Sequence, residues 1–187
     1  MRIGFAMCGS FCTFAQVFPV MEELAKEHQV TPIFSFAAST IDSRFGLARE
    51  HLEKAGALCG TAPLRTIEAV EPIGPKKLFD ILVIAPCTGN TLAKLAHSIA
   101  DTPVTMAAKS HLRNGRPILV AVSTNDALAG AAENIGKLLS RKHYYFVPFG
   151  QDDAEKKPTS MVADFKKIPQ AMEAAMDGRQ LQPVLFG

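Results

Sequence analysis

Tryptophan is absent from the 187 residues, tyrosine occurs twice, and no sign of charge dominates. Lys plus Arg number 20 against 18 Asp plus Glu, a formal +2. So nearly neutral a chain has no field with which to hold a nucleic-acid backbone or an anionic membrane, and neither partner is expected. Apolar runs are short, Ile81–Ala85 among the longest, far below the roughly 20 residues of a bilayer-spanning helix. Met1-Arg2 leads straight into Ile3-Gly4-Phe5-Ala6 without a small-residue cleavage site; no export signal is read and a cytoplasmic protein is expected. Cys8, Cys12, Cys59 and Cys87 form no C-x-x-C pair and lack a matching His or Cys pair, so reduced thiols and no metal site are expected. A dinucleotide G-x-G-x-x-G is missing. Gly4 and Gly9 have the separation of a P-loop, but Ser10-Phe11 stands where that loop requires Lys-Ser/Thr.

With 48 % apolar and 20 % charged residues, the composition supports a packed core and excludes disorder as a global state. The length suits one domain, residues 1–187. Strands are expected at Ile3–Met7, Gln29–Phe36, Asp80–Ala85, Pro117–Val122 and Tyr144–Val147, with shorter candidates at Leu64–Ile67 and Thr102–Thr105. They are apolar nearly throughout, the mark of strands covered on both faces of a parallel sheet. Helical stripes alternate with them. Phe14, Val17, Phe18, Met21 and Leu24 form the first, with Pro19 predicting a kink or a later start. Phe45, Ala48, Leu52 and Ala55 form a second, stopped by Gly56; Leu92, Leu95, Ala96 and Ile99 a third, entered through Asn90. Leu128, Ala131, Ile135 and Leu138 form a fourth, entered through Asn125 or Asp126, and a last helix is expected over Ser160–Met176. Strand–helix alternation predicts an α/β, Rossmann-like, doubly wound parallel sheet with helices on both faces. Gly150–Ser160 is polar enough for a mobile loop, with residues 151–160 a candidate lid.

Ligands of such sheets bind beyond the carboxyl ends of the strands, which selects the loops Cys8–Thr13, Ser35–Asp42, Pro86–Thr91 and Ser123–Asp126. In the first, Gly9, Ser10 and the amides of a helix N-terminus suit a phosphate monoester; an ordinary capped turn is the plainer reading. In the third, Pro86-Cys87-Thr88-Gly89-Asn90-Thr91, an amide side chain stands beside a tight turn. Asn90 either caps the helix or presents its donors and acceptor to the edge of a planar heterocycle.

The run Pro86–Thr91 with the helix Leu92–Asp101 resembles the P-A-S-A-N-T segment of the flavin-containing cysteine decarboxylase superfamily. That resemblance implies a Rossmann-like fold, trimers or multiples of trimers, and FMN bound between subunits. It assigns cofactor contacts to Gly9, Ser10, Ser35, Ser39, Pro86, Thr88, Gly89, Asn90 and Thr91. Two departures stand out. Pro72 occupies the place of the decarboxylases' catalytic histidine, and Ser123–Leu128 replaces their substrate clamp, of which Asn125 alone survives. Further segments (Glu71–Lys77, Arg113–Pro117, Val147–Asp152) make the whole chain similar to the B subunits of bacterial dipicolinate synthase. This second resemblance implies an A subunit carrying NADP, a small dicarboxylate substrate, and oxidation of dihydrodipicolinate in the mother cell of a spore former. A flavin-dependent decarboxylase and a non-catalytic scaffold for the A subunit are the alternatives; the catalytic group is left unassigned.

A dicarboxylate calls for cations or strong donors. Arg44, Lys76, Lys77, Lys109, Arg113 and Arg116 are candidates, and Lys76-Lys77, stiffened by Pro72 and Pro75 ahead of the central strand, rank first, with Asn125 as a further substrate contact. His28, His51, His97, His111 and His143 read as exposed or capping residues, Cys87 as space-filling. The apolar tail within residues 180–187 is expected to dock on a neighbouring subunit.

Overall fold

The computed structural model describes residues 1–186. Its seven-stranded sheet has the order β2-β1-β3-β4-β7-β6, with β5 also on β4. β1 (Arg2–Met7), β2 (Gln29–Phe34), β3 (Ile81–Cys87), β4 (Ile118–Thr124) and β5 (Tyr144–Phe146) are parallel. β6 (Phe149–Gln151) and β7 (Met161–Ala163) join antiparallel. β4 divides its outer edge, pairing with β5 along Ile118–Val120 and with β7 at Ser123–Thr124. The β6–β7 pair therefore stands as a small roof above the carboxyl end of the parallel sheet.

Burial explains the centre. Every residue of β3 and all of β4 but Thr124 are buried, as the continuous apolar runs require of strands between two helical layers. Pro86 has no N–H to give a ladder and is accommodated where the register against β4 shifts, between Ile84 and Cys87. The helices are α1 (Phe14–Glu27), α2 (Phe36–Thr40), α3 (Ala48–Cys59), α4 (Ile67–Val70), α5 (Gly89–Ala96), α6 (Pro103–Leu112), α7 (Ala132–Leu139) and α8 (Ile168–Met176).

Several expected boundaries move, each for a local reason. Phe36 opens α2 instead of ending β2, because Ser35 accepts the Ala38 N–H and caps it. Leu64 makes only an isolated bridge to Ile33, and Ile67 begins α4. Thr102–Thr105 is no strand: Thr102 and Thr105 exchange side-chain and backbone bonds in a capping box, with Pro103 at the first turn of α6. α1 passes through Pro19 unbroken, since the neighbouring Ala15 is exposed to water and the buried stripe holds the helix. α3 passes Gly56 and stops at Gly60, which adopts the left-handed conformation at φ 63°. Neither Asn125 nor Asp126 caps α7; the Asp126 carbonyl accepts from Ala129 and Ala131 and winds a turn first. The segment expected as one helix from Ser160 holds β7, a 3₁₀ turn at Phe165–Lys167 and then α8, because buried Met161 and Ala163 flank half-buried Val162 with the period of a strand. The tail pairs with its own β6, Phe149 donating to the Val184 carbonyl at 3.0 Å and Phe186 to the Phe149 carbonyl at 3.3 Å; Gly187 lies outside the described residues.

Two histidines are buried, against expectation. His51 packs on Phe14 and Phe18, and His111 is fully buried in α6 with Nε2 donating to the Pro117 carbonyl at 3.1 Å. Burial lowers the His111 pKa to about 4, with nearby Arg116 adding to the effect. The unfolded chain takes up this proton near 6.5 and the folded one only near 4, so stability falls as pH drops through that window. The loss should reach about 3 kcal/mol at its lower end. Urea midpoints should decline from pH 7 to 4.5, and His111→Gln, which keeps a donor for Pro117, should flatten that decline; an unchanged slope would remove His111 as its source.

Candidate functional site

A cleft of about 1070 Å³ opens at the carboxyl end of the sheet, between the turns that leave β1, β3 and β4 and the β6–β7 roof. The first turn is tight: Ser10 donates its N–H to the Cys8 carbonyl at 2.8 Å, and the Thr13 N–H and hydroxyl both reach the Ser10 carbonyl. A 3₁₀ turn at Phe11–Thr13 then feeds α1, and its residues border the cleft; the first amides of a helix have no carbonyl of their own helix ahead of them. The Ser10 and Ser123 hydroxyls share a hydrogen bond of 2.8 Å, joining this turn to the end of β4.

The turn after β3 is held from beneath. Thr88 caps α5, accepting the Thr91 N–H at 3.4 Å and donating its hydroxyl to Thr91 Oγ1 at 3.2 Å. Thr91 in turn donates to Cys8 Sγ at 3.3 Å, and the Cys8 N–H reaches the Pro86 carbonyl at 3.2 Å. With Thr88 as the cap, the Asn90 amide is not spent on the helix and stands exposed at the cleft. Behind Gly89 lie the Thr124 hydroxyl and the Asp126 carboxylate, 2.8 and 2.7 Å from where a Cβ would stand. Thr124 donates to Asp126 Oδ1 at 2.5 Å.

Charge in the cleft is sparse. Asp126, Asp152 and Lys157 are the ionised side chains that line it, and Lys157 already binds Asp152 at 2.9 Å. That hydrogen bond and its charge raise the Lys157 pKa. Cys8 and Cys87 lie beneath the floor. Burial pushes the Cys87 thiol well above its ordinary value, and hydrogen bonds from Cys87 and then Thr91 lower that of Cys8. Phe11, Phe45 and Phe186 contribute aromatic walls.

Of the residues singled out from the sequence, Gly9, Ser10, Thr88, Gly89, Asn90 and Asn125 line the cleft together. Thr91 sits one layer below. Pro86 is buried within β3 and offers only its carbonyl, to Cys8. Ser35 and Ser39 are buried and bonded within α2, Ser35 as its cap and Ser39 through the Phe36 carbonyl; they support the neighbouring turn and do not line the cleft. Lys76 and Lys77 belong to the turn before β3, away from the cleft, where Lys76 borders a separate hollow. No metal-binding cluster occurs among the described residues, nor any helix long and apolar enough to cross a membrane. The roof residues Gly150–Lys157 and Phe186 were not singled out as ligand contacts, although the polar run through Gly150–Ser160 marked the segment.

These turns, on this sheet, are those of a flavoprotein: the flavoprotein family profile matches residues 1–172, and the chain belongs to that family. Within it, the chain is 46 % identical over 185 residues to the B subunit of dipicolinate synthase from Bacillus subtilis (strain 168), covering 98 % of this chain and 92 % of the relative. The crystal structure of the dipicolinate synthase B subunit from Bacillus halodurans C superposes with a TM-score of 0.91 at 42 % identity, over 100 % of this chain and 96 % of that one. The FMN-dependent cysteine decarboxylase SpaF shares the fold at TM-score 0.69 and 24 % identity, over 95 % of both chains.

Gly89→Ala should cost about 1–3 kcal/mol by driving Thr124 and Asp126 off the α5 turn. Gly136→Ala, in α7 with nothing within 4 Å of the added methyl, should raise stability by up to about 1 kcal/mol. Chemical denaturation of the two variants checks both; equal stability would remove the close packing behind Gly89.

Proposed function

We propose that this chain acts as the B subunit of a dipicolinate synthase: it holds FMN and the dicarboxylate substrate in the cleft, while an A subunit carries NADP. The observation that carries the reading is the freed Asn90 amide, placed beside helix-leading amides and hydroxyls in a cleft with little charge. A phosphate there meets neutral donors, the turn amides and Ser10. Gly89 keeps its backbone open, and Asn90 can pair with the polar edge of a planar ring. The residues therefore fit FMN, with Gly9, Ser10, Thr88, Gly89 and Asn90 holding it. Ser35, Ser39, Pro86 and Thr91 support these turns from beneath.

The reaction removes a hydride and a proton from dihydrodipicolinate and leaves an aromatic pyridine ring. When bound, the flavin or the partner's nicotinamide supplies the hydride acceptor. Aromatisation drives the step, so the tasks of this chain are to bind, to orient and to exclude water. Asn125 lies where it can meet the substrate, and the β6–β7 roof with Lys157 and Phe186 closes the open side. Lys76 and Lys77 play no part in this cleft within one chain. We place the protein in the cytoplasm of a spore mother cell and propose assembly into trimers or multiples of them. Phe36, Ile41, Phe45 and Leu47 are exposed within residues 36–47, and Phe45 lines the cleft; this apolar stretch favours a neighbour there. The decarboxylase reading is disfavoured because Pro72 stands in the place of the catalytic histidine and has no group that can transfer a proton.

Added FMN should give the purified protein flavin absorbance, and Asn90→Ala should weaken that binding by about tenfold to a hundredfold, as loss of one or two well-placed hydrogen bonds does. Dipicolinate formation with the A subunit should fall in the same variant. Unchanged affinity and unchanged formation would take Asn90 out of the site, and a protein that FMN cannot colour would leave the scaffold reading.

A further inference from the structure

Among the described residues of one chain, the cleft is lined by a single cation, Lys157 of the roof loop, against the carboxylates of Asp126 and Asp152. A ligand with two carboxylates thus enters a cleft of net −1 unless that cation is released to it. The two acidic side chains are held differently. Asp126 accepts the Thr124 hydroxyl at 2.5 Å and stands behind Gly89, the first residue of α5, where the start of a helix favours negative charge. Asp152 is exposed and binds Lys157 at 2.9 Å, and the Lys157 side chain is 58 % exposed. An ion pair that water reaches is weak, so Lys157 can leave Asp152 at little cost for a better-placed carboxylate.

The loop that carries this lysine is well tied. Its N–H donates to the Asp153 carbonyl at 2.8 Å and its carbonyl accepts from the Ser160 N–H at 3.0 Å. Gln151 Nε2 donates to the Pro158 carbonyl at 2.8 Å, and the Thr159 hydroxyl donates to the Asn125 carbonyl at 2.7 Å. The Leu128 N–H reaches the Thr159 carbonyl at 3.0 Å. The backbone of Lys157 is therefore positioned by the turn after β4, and an exchange of partners needs only rotation of its side chain. A phosphate at the Gly9-Ser10 turn has neutral donors of its own, which leaves the ammonium for another anion.

We propose that Lys157 receives a carboxylate of the dicarboxylate substrate, and that Asp152 holds the same ammonium until the substrate replaces it. The inference deepens the reading above and rests on it. Asp152 then sets a threshold. An anion must bind Lys157 better than Asp152 does, which favours a rigid ligand oriented by other contacts in the cleft over a freely tumbling one.

Dipicolinate is titrated by calorimetry into the wild-type chain, Lys157→Met, Lys157→Arg, Asp152→Asn and, as a charge control in the same loop, Glu155→Gln. Each is measured with and without FMN, and thermal unfolding is followed in each. Lys157→Met should weaken dipicolinate binding about tenfold or more, and Lys157→Arg should keep most of it. Asp152→Asn should tighten binding severalfold, and Glu155→Gln should match the wild type. Opposite signs from the two members of one pair are what an exchange requires, since a merely structural latch loses affinity when either side is removed. Without that opposition the inference fails, as it does if Glu155→Gln tightens binding as much as Asp152→Asn. A Lys157→Met chain that loses affinity for FMN but not for riboflavin assigns the ammonium to the phosphate and overturns the inference as well. Dipicolinate binding equal in all five proteins overturns it and leaves the cleft reading standing. A wild-type chain that binds FMN but no dipicolinate overturns it together with the substrate half of that reading.

Discussion

β3 is buried along its whole length, and the position of the cleft follows from it. A strand covered on both faces can expose polar groups only at its ends, so the threonines, glycine and asparagine that follow Cys87 are driven to the rim. There they are tied to their neighbours by a short polar chain: Thr88 to Thr91, Thr91 to the Cys8 sulfur, and the Cys8 amide back to the Pro86 carbonyl. Thr91, Cys8 and Pro86 are buried, and the bonds Thr91–Cys8 and Cys8–Pro86 cross from one turn to the other. The turns after β1 and β3 cannot shift separately without leaving a buried hydroxyl or amide unpaired, a penalty of roughly 1–3 kcal/mol. Ser10 and Ser123 extend the same tie to β4.

Because Thr88 satisfies the α5 N-terminus, the neighbouring Asn90 is released from capping. A structural hydrogen bond and an uncommitted amide thus occupy one turn without competing, which is how six residues combine helix start and close packing at Gly89. The two ends of the sheet differ accordingly. The carboxyl end offers neutral donors and few charges, whereas the amino end gathers Lys76, Lys77, Lys109 and Arg113, with Asp80 bridging Arg2 and Arg116 nearby. Those two guanidiniums hold the Asp80 carboxyl below its ordinary value, the hydrogen bond from Arg2 contributing most.

Much of the architecture was legible because the parallel strands are apolar without interruption and the stripes between them repeat with helical spacing. The P-C-T-G-N-T turn and Gly9-Ser10 were legible as rim elements for the same reason, since each follows such a strand. Where reading failed, the deciding interaction was short-range and polar or long-range and apolar. Thr102 and Thr105 look β-prone, yet their reciprocal caps begin a helix. Met161–Ala163 joins the sheet only because Ser123 and Thr124 lie opposite to pair with it. His51 and His111 look like surface residues until aromatic rings and a Pro117 carbonyl enclose them.

Local chemistry, written in the order of residues, was enough to specify an alternating α/β chain, a tight turn at Gly9-Ser10 and an amide-bearing turn at Asn90, since hydrophobic period and turn residues act over a few positions. Which groups share a cleft is a matter of distance in space, settled when strands remote in sequence pair. That pairing carried Lys76 and Lys77 to the far end, set Ser35 and Ser39 beneath the rim, and brought Asp126, Lys157 and Phe186 beside Asn90, because sheet order and register, not separation along the chain, decide which turns meet.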